Sequence, residues 1–134
     1  MLLENYIKNI GVEAATFIDL VKKDILPAVF RYEKELMEEV SLKRKLKLDD
    51  SLQMELLLKY SDLCKMLYQK LTKLEIAVEE GKAITSTLDS AVFARENLFH
   101  KMEDLRETVD ALELLTPRNI WPFPTYSEIL YSVK

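Results

Sequence analysis

Apolar residues at Leu3, Ile7, Ile10, Ala14, Phe17 and Val21 recur at alternating spacings of three and four. That period lines side chains along one face of an α-helix. The pattern resumes as Ile25, Val29, Tyr32, Leu36 and Val40, with Pro27 inside it. Proline lacks a backbone N–H and its ring crowds the carbonyl four residues earlier, so a kink or break is predicted near Lys23 to Leu26. Lys43, Arg44, Lys45 and Lys47 then cluster where a helix C-terminus carries the negative end of its dipole.

A loop is predicted at about 47 to 50. Asp50 and Gln53 stand at capping-box spacing before a new helix opening at Ser51. Leu57, Tyr60, Cys64, Leu67, Leu71, Leu74 and Val78 continue the three-and-four alternation without interruption. Gly81 follows at a place suited to the left-handed turn after a helix, so the helix is predicted over 51 to 80. A further run, Leu88, Ala91, Arg95, Leu98, Met102, Leu105, Val109 and Leu112, starts between Lys82 and Ser90 and stops at Thr116-Pro117.

Such stripes can be buried only against one another, and short connections favour antiparallel neighbours. The expected fold is all-α: an antiparallel helical bundle of three to four long helices over about 3 to 116, the first kinked or broken near Pro27. Leu57, Leu67, Leu71, Leu74, Leu98 and Leu105 are its seam. From about 117 to 134 the alternate prolines of Trp121-Pro122-Phe123-Pro124-Thr125-Tyr126 predict an extended tail, with a closing turn at Ser127 to Tyr131. Burial of aromatic surface favours docking of Trp121, Pro122, Phe123, Pro124 and Tyr126 on the protein over a free proline-rich ligand.

Composition agrees with one helical domain over 1 to 134. The chain has 134 residues, 49% hydrophobic and 31% charged, with only 2 Gly and 4 Pro, too few for the turns of an all-β fold. A net charge of -4 disfavours nucleic acid and anionic membranes as partners and leaves protein surfaces. The apolar runs fall far short of the roughly 20 residues that span a bilayer. A single cysteine, and Glu4 directly after Met1-Leu2-Leu3 where a signal peptide would stay apolar, point to a cytoplasmic location.

Candidate chemistry is sparse. Two glycines seventy residues apart build no phosphate cradle. Glu96 and the only histidine, His100, share a helical face but lack the repeated Glu-x-x-His of di-iron bundles, so they read as an ordinary surface pair. Cys64 lies among leucines and reads as core. Arg95 falls at a seam position, either clamping an anionic ligand inside the bundle or, as favoured, snorkelling to the rim or pairing with a Glu. Lys43 to Lys47, interleaved with leucines rather than aromatics, reads as a solvated helix end.

Trp121-Pro122-Phe123-Pro124-Thr125-Tyr126, followed by Glu128-Ile129-Leu130-Tyr131, resembles the Trp-Pro-x-Pro-Thr-Tyr ending of type III glutamine synthetases. Leu105-Arg106 with Asp110, Leu112 and Glu113 resembles a Leu-Arg-x-x-x-Asp-x-Leu-Glu helix of that family. Leu26-Pro27-Ala28 before Tyr32 resembles its Leu-Pro-Ala kink, and Val12-Glu13-Ala14 with Thr16 its Ile-Glu-Ala-x-Thr segment. The resemblance runs from about Asn5 to the last residues and is thinnest between Leu42 and Thr87. It departs at Ala15, where the family has Arg, and at Tyr131, where Phe is usual.

The resemblance implies the helical C-terminal module of an enzyme that joins ammonia to glutamate with ATP and Mg or Mn. In that family the substrate, nucleotide and metal sites lie in the preceding catalytic barrel, so no catalytic, cofactor-binding or metal residue is carried onto this sequence. Its implied partners are the catalytic domain of the same polypeptide and neighbouring subunits of a homo-oligomer. The alternatives are a stand-alone helical adaptor and a small anion-binding helical enzyme with Arg95 as its clamp.

Overall fold

The computed structural model describes residues 2–124. Tyr126 and the predicted turn at 127 to 131 lie outside the described residues. The first apolar stripe forms α1, Leu2–Leu20, with Ile10 and Ala14 buried. The chain then passes through one π-helical turn, Val21–Ile25, into α2, Leu26–Lys45. Pro27 is the second residue of α2, and the Leu26 N–H donates to the Val21 carbonyl five residues back. The wider turn absorbs the missing donor and bulky ring of Pro27, so the helix is re-registered there and not broken.

Lys47 makes the turn after α2 with a left-handed φ of 57°. Helix α3 spans Ser51–Lys82. The expected Asp50/Gln53 capping box does not form. Asp49 Oδ1 accepts the Ser51 N–H at 3.0 Å, while Asp50 bonds Arg44 at 2.6 Å. That backbone hydrogen bond holds the Asp49 carboxyl below its ordinary pKa. Gly81 is also reassigned. It lies inside α3, and no described glycine has a positive φ. A Cβ there would stand 3.1 Å from the Phe93 ring, so close approach of the next helix, and no left-handed turn, calls for glycine.

Ser86 caps the next helix by accepting the Asp89 N–H. It runs as α4, Thr87–Phe93, a second π turn, Ala94–Leu98, and α5, Phe99–Leu115. The fold is therefore all-helical with three continuous rods, 2–45, 51–82 and 87–115, and no fourth; no strand occurs among the described residues. After α5, Ile120 and Trp121 both donate to the Pro117 carbonyl, at 2.9 and 3.0 Å. These turns replace the expected extended geometry over 117 to 124, because one free carbonyl gathers two amides that an extended chain would leave to water.

Adjacent rods run antiparallel. Tyr60 on α3 meets Thr116 after α5, Lys70 meets Asp104 and Thr108, and Gly81 meets Phe93. Along the first rod, Tyr32 meets Tyr60 edge-on at 5.0 Å and Lys22 reaches Glu75 at 2.7 Å. The core lies where all three rods meet, with Leu67, Leu74, Leu105 and Leu112 at 0% exposure.

Candidate functional site

The predicted seam residues converge. Leu67, Leu71, Leu74, Leu98 and Leu105 are buried in one cluster, and Leu57 packs partly buried against it. Cys64 belongs to the same cluster, and burial pushes its thiol up to about 12, so it stays protonated and unreactive near neutrality.

At the end of α5 the Thr116 hydroxyl donates to the Leu112 carbonyl at 2.6 Å. With that proton committed, the Tyr60 hydroxyl is the donor in their 2.7 Å bond. Burial raises the Tyr60 pKa strongly, which keeps it the neutral donor this pair needs. Trp121 is buried and joins the core cluster, Phe123 packs partly buried with its ring 6.4 Å from the indole, and Pro122 and Pro124 are exposed. The indole Nε1 is enclosed without an acceptor. Among the described residues of the tail, Trp121 and Phe123 are thus held against the core and only the two prolines face outward.

Arg95 does not sit in the seam. Ala94 takes the inward position, at 2% exposure, while the Arg95 side chain is 68% exposed and pairs with Glu96 at 3.1 Å. The small residue admits α1 closely, and the guanidinium keeps its water. With Leu3, Tyr6, Leu88, Ala91 and Val92, Arg95 edges a shallow depression of about 360 Å³ outside the bundle. An interior anion clamp is thereby overturned. Leu88, expected on the stripe, is likewise 62% exposed.

Glu96 and His100 are both exposed, and no group of three or more His, Cys, Asp or Glu positioned for a metal occurs among the described residues. In the basic cluster, Arg44 is held by Asp50, and Lys45 and Lys47 stand exposed at the α2–α3 turn. No helix among the described residues is long and apolar enough to cross a membrane.

Two features escaped the sequence pattern. Lys70 is mostly buried between α3 and α5, where its Nζ reaches Asp104 Oδ1 at 2.9 Å and donates to Thr108 Oγ1 at 2.7 Å. An apolar groove of about 510 Å³ opens between α1, α3, α4 and the second π turn, with Gly11, Ala15, Gly81 and Ala94 in its lining. Its glycines are seventy positions apart, so no local pattern announces it; small residues at i and i+4 on α1 were the only signal.

The groove is lined mainly by apolar side chains. A family model described as the glutamine synthetase C-terminal domain matches residues 1–44. The chain is 32% identical over 136 residues to a glutamine synthetase of Butyrivibrio fibrisolvens, covering 100% of this chain and 19% of that protein. It is 29% identical over 137 residues to a type-3 glutamine synthetase of Dictyostelium discoideum, covering 98% of this chain and 19% of that protein. No solved structure matches. The chain thus spans about a fifth of the length of these relatives. Similarity that extends end to end along an all-helical fold, together with the match of its first rod, places the chain in the glutamine synthetase C-terminal domain family.

Proposed function

We propose that this chain serves as the non-catalytic C-terminal module of a type III glutamine synthetase, a cytoplasmic enzyme that ligates ammonia to glutamate with ATP and Mg or Mn. On this reading the nucleotide, metal and substrates belong to a catalytic domain of the same polypeptide. The helical module packs against that domain and against neighbouring subunits of a homo-oligomer. The observation that carries it is similarity running the whole length of this chain yet spanning only 19% of two glutamine synthetases.

Surface character supports a packing role. Leu2, Leu46, Leu52, Leu58, Leu88 and Leu114 are each more than 60% exposed, apolar surface available to a neighbouring domain. The test is a chimera in which this chain replaces the corresponding fifth of the Butyrivibrio fibrisolvens enzyme. Assembly to the parent mass with ligase activity, lost when the module is deleted, is the expected result. Ligase activity in this chain alone, or a chimera no different from the deletion, would overturn the reading.

A further inference from the structure

The apolar groove between α1, α3, α4 and the second π turn reaches down to Ala94 and Leu98, which are 2% and 7% exposed, so it opens onto the core itself. It exists because the residues around it are small. Nothing lies within 4 Å of a Cβ at Gly11, and Ala15 and Gly81 add little bulk to the neighbouring walls. Along α1 the wall runs from Ile7 to Ala15, about 12 Å at about 1.5 Å per residue. A volume of about 510 Å³ spread over that length is a channel roughly 7 Å across, narrower than the roughly 10 Å of an α-helix with its side chains. A straight acyl chain fits it, and a partner helix does not.

The two ends of the channel differ in polarity. Ala15, Val78, Ala94 and Leu98 make one end wholly apolar. At the other, Lys8 and Ser90 stand where the groove meets a smaller hollow that also carries Thr85 and Thr87. Among the described residues Lys8 makes no ion pair and the Ser90 hydroxyl no hydrogen bond. Glu4 is the one carboxylate at this mouth, and it does not pair with Lys8. Lys82, on the rim, is already held by Glu79 at 3.1 Å. No acidic residue lines the groove itself, in a chain that has 23 of them. An apolar channel that ends at an unpaired cation and a hydroxyl donor matches a molecule with an apolar chain and a carboxylate head, which accepts from both.

We propose that this groove binds an acyl carboxylate of medium length, its chain lying along α1 toward Leu98 and its carboxylate held at Lys8 and Ser90. The site goes beyond the module reading and does not depend on it, since every group it uses belongs to this chain.

The test is calorimetric titration of the full chain with decanoate, kept below its micelle-forming concentration, with helicity followed by circular dichroism. One molecule per chain is expected. Shortening the probe weakens binding about fourfold per methylene lost, and decanol, which keeps the chain but not the charge, binds at least about tenfold more weakly. Gly11→Leu fills the channel and Lys8→Glu reverses its cation, and each raises the Kd by about tenfold or more, while Lys8→Arg retains binding. Lys8→Glu lies on the exposed rim and keeps the test readable if Gly11→Leu loses helicity. The two glycines of the chain both line the groove, so their amide signals in a nitrogen–proton NMR spectrum shift together on binding. Absence of saturable heat, several molecules per chain indifferent to the variants, or decanol binding as tightly as decanoate would overturn the site. A chain that binds decanoate while its chimera fails to assemble would reject the module reading alone, and a chimera that assembles from a chain without decanoate binding would reject the site alone.

Discussion

The body of three rods and the part of the α2–α3 hairpin that projects beyond it, past the end of α5 beside Tyr60, are written in the same helical alphabet, yet they meet water differently. In the body, Leu67, Leu71, Leu74 and Leu105 are at most 1% exposed. In the projection, Leu42, Leu46, Leu48 and Leu52 are 57% to 68% exposed. The difference is the number of neighbours. The body presents each stripe to two other rods, whereas two helices alone can cover only the strip between them. On the stripe, Leu36 and Val40 stay buried even between two helices, at 2% and 5% exposure, so the leucines left open are those off the stripe, beyond the reach of a third rod.

The sharpest way to break this contrast is to cut the same leucine in both places. Leu67→Ala is expected to cost about 2 to 5 kcal/mol from lost transfer energy and the cavity left behind. Leu46→Ala, in the projection, is expected to stay within about 0.5 kcal/mol. Urea unfolding of the two variants measures both, and equal losses would erase the distinction between body and projection.

Alkaline pH addresses the body alone. Burial raises the pKa of Cys64, from its ordinary value near 9 to about 12, and that of Tyr60. Above pH 9 the unfolded chain releases these protons while the folded chain retains them. The unfolded state then binds fewer protons, so stability is complete below about pH 9 and falls as pH rises toward 12. Denaturant midpoints at stepped pH should show this decline, and Cys64→Ala should remove its earliest part.

The two glycines sharpen the comparison on a finer scale. Nothing lies within 4 Å of a Cβ at Gly11, so Gly11→Ala should stabilise α1 by about 0.5 to 1 kcal/mol. At Gly81 the Phe93 ring at 3.1 Å must yield, and thermal unfolding should show Gly81→Ala gaining less or losing stability. The smallest effect belongs to Arg95→Met. Its side chain is 68% exposed and meets only its neighbour Glu96, so a change within about 0.5 kcal/mol is expected.

How much of this was legible in the sequence follows from the physics of each feature. The stripe from Tyr60 to Leu74 was plain, because every position repeats one spacing and all of it ends in core. Pro27 announced a disturbance, but a proline can equally break a helix, and its spacing alone did not say that a single π turn would absorb it. Arg95 and Ala94 both satisfy a seam at helical spacing, and only the packing of α1 selects the smaller. Gly81 has two uses, a left-handed turn or a close approach, and the second needs a ring twelve residues further on. Asp49 and Asp50 are equally good caps on paper until Arg44 claims one. The aromatic run marked Trp121 for burial but not the turn that carries it there.

The central claim is that the three-rod body is closed on its own, while the open apolar side chains around the α2–α3 turn would be covered in the proposed assembly. Hydrogen exchange read by mass spectrometry tests it most directly, comparing the chain at high dilution with the chimera assembled on a glutamine synthetase catalytic body. The account predicts that amides from Tyr60 to Leu74 are strongly protected in both states, exchanging only through global unfolding, while those from Leu42 to Leu56 exchange faster in the single chain and slow on assembly. Equal protection of both regions in the single chain, with no change at the hairpin on assembly, would contradict it.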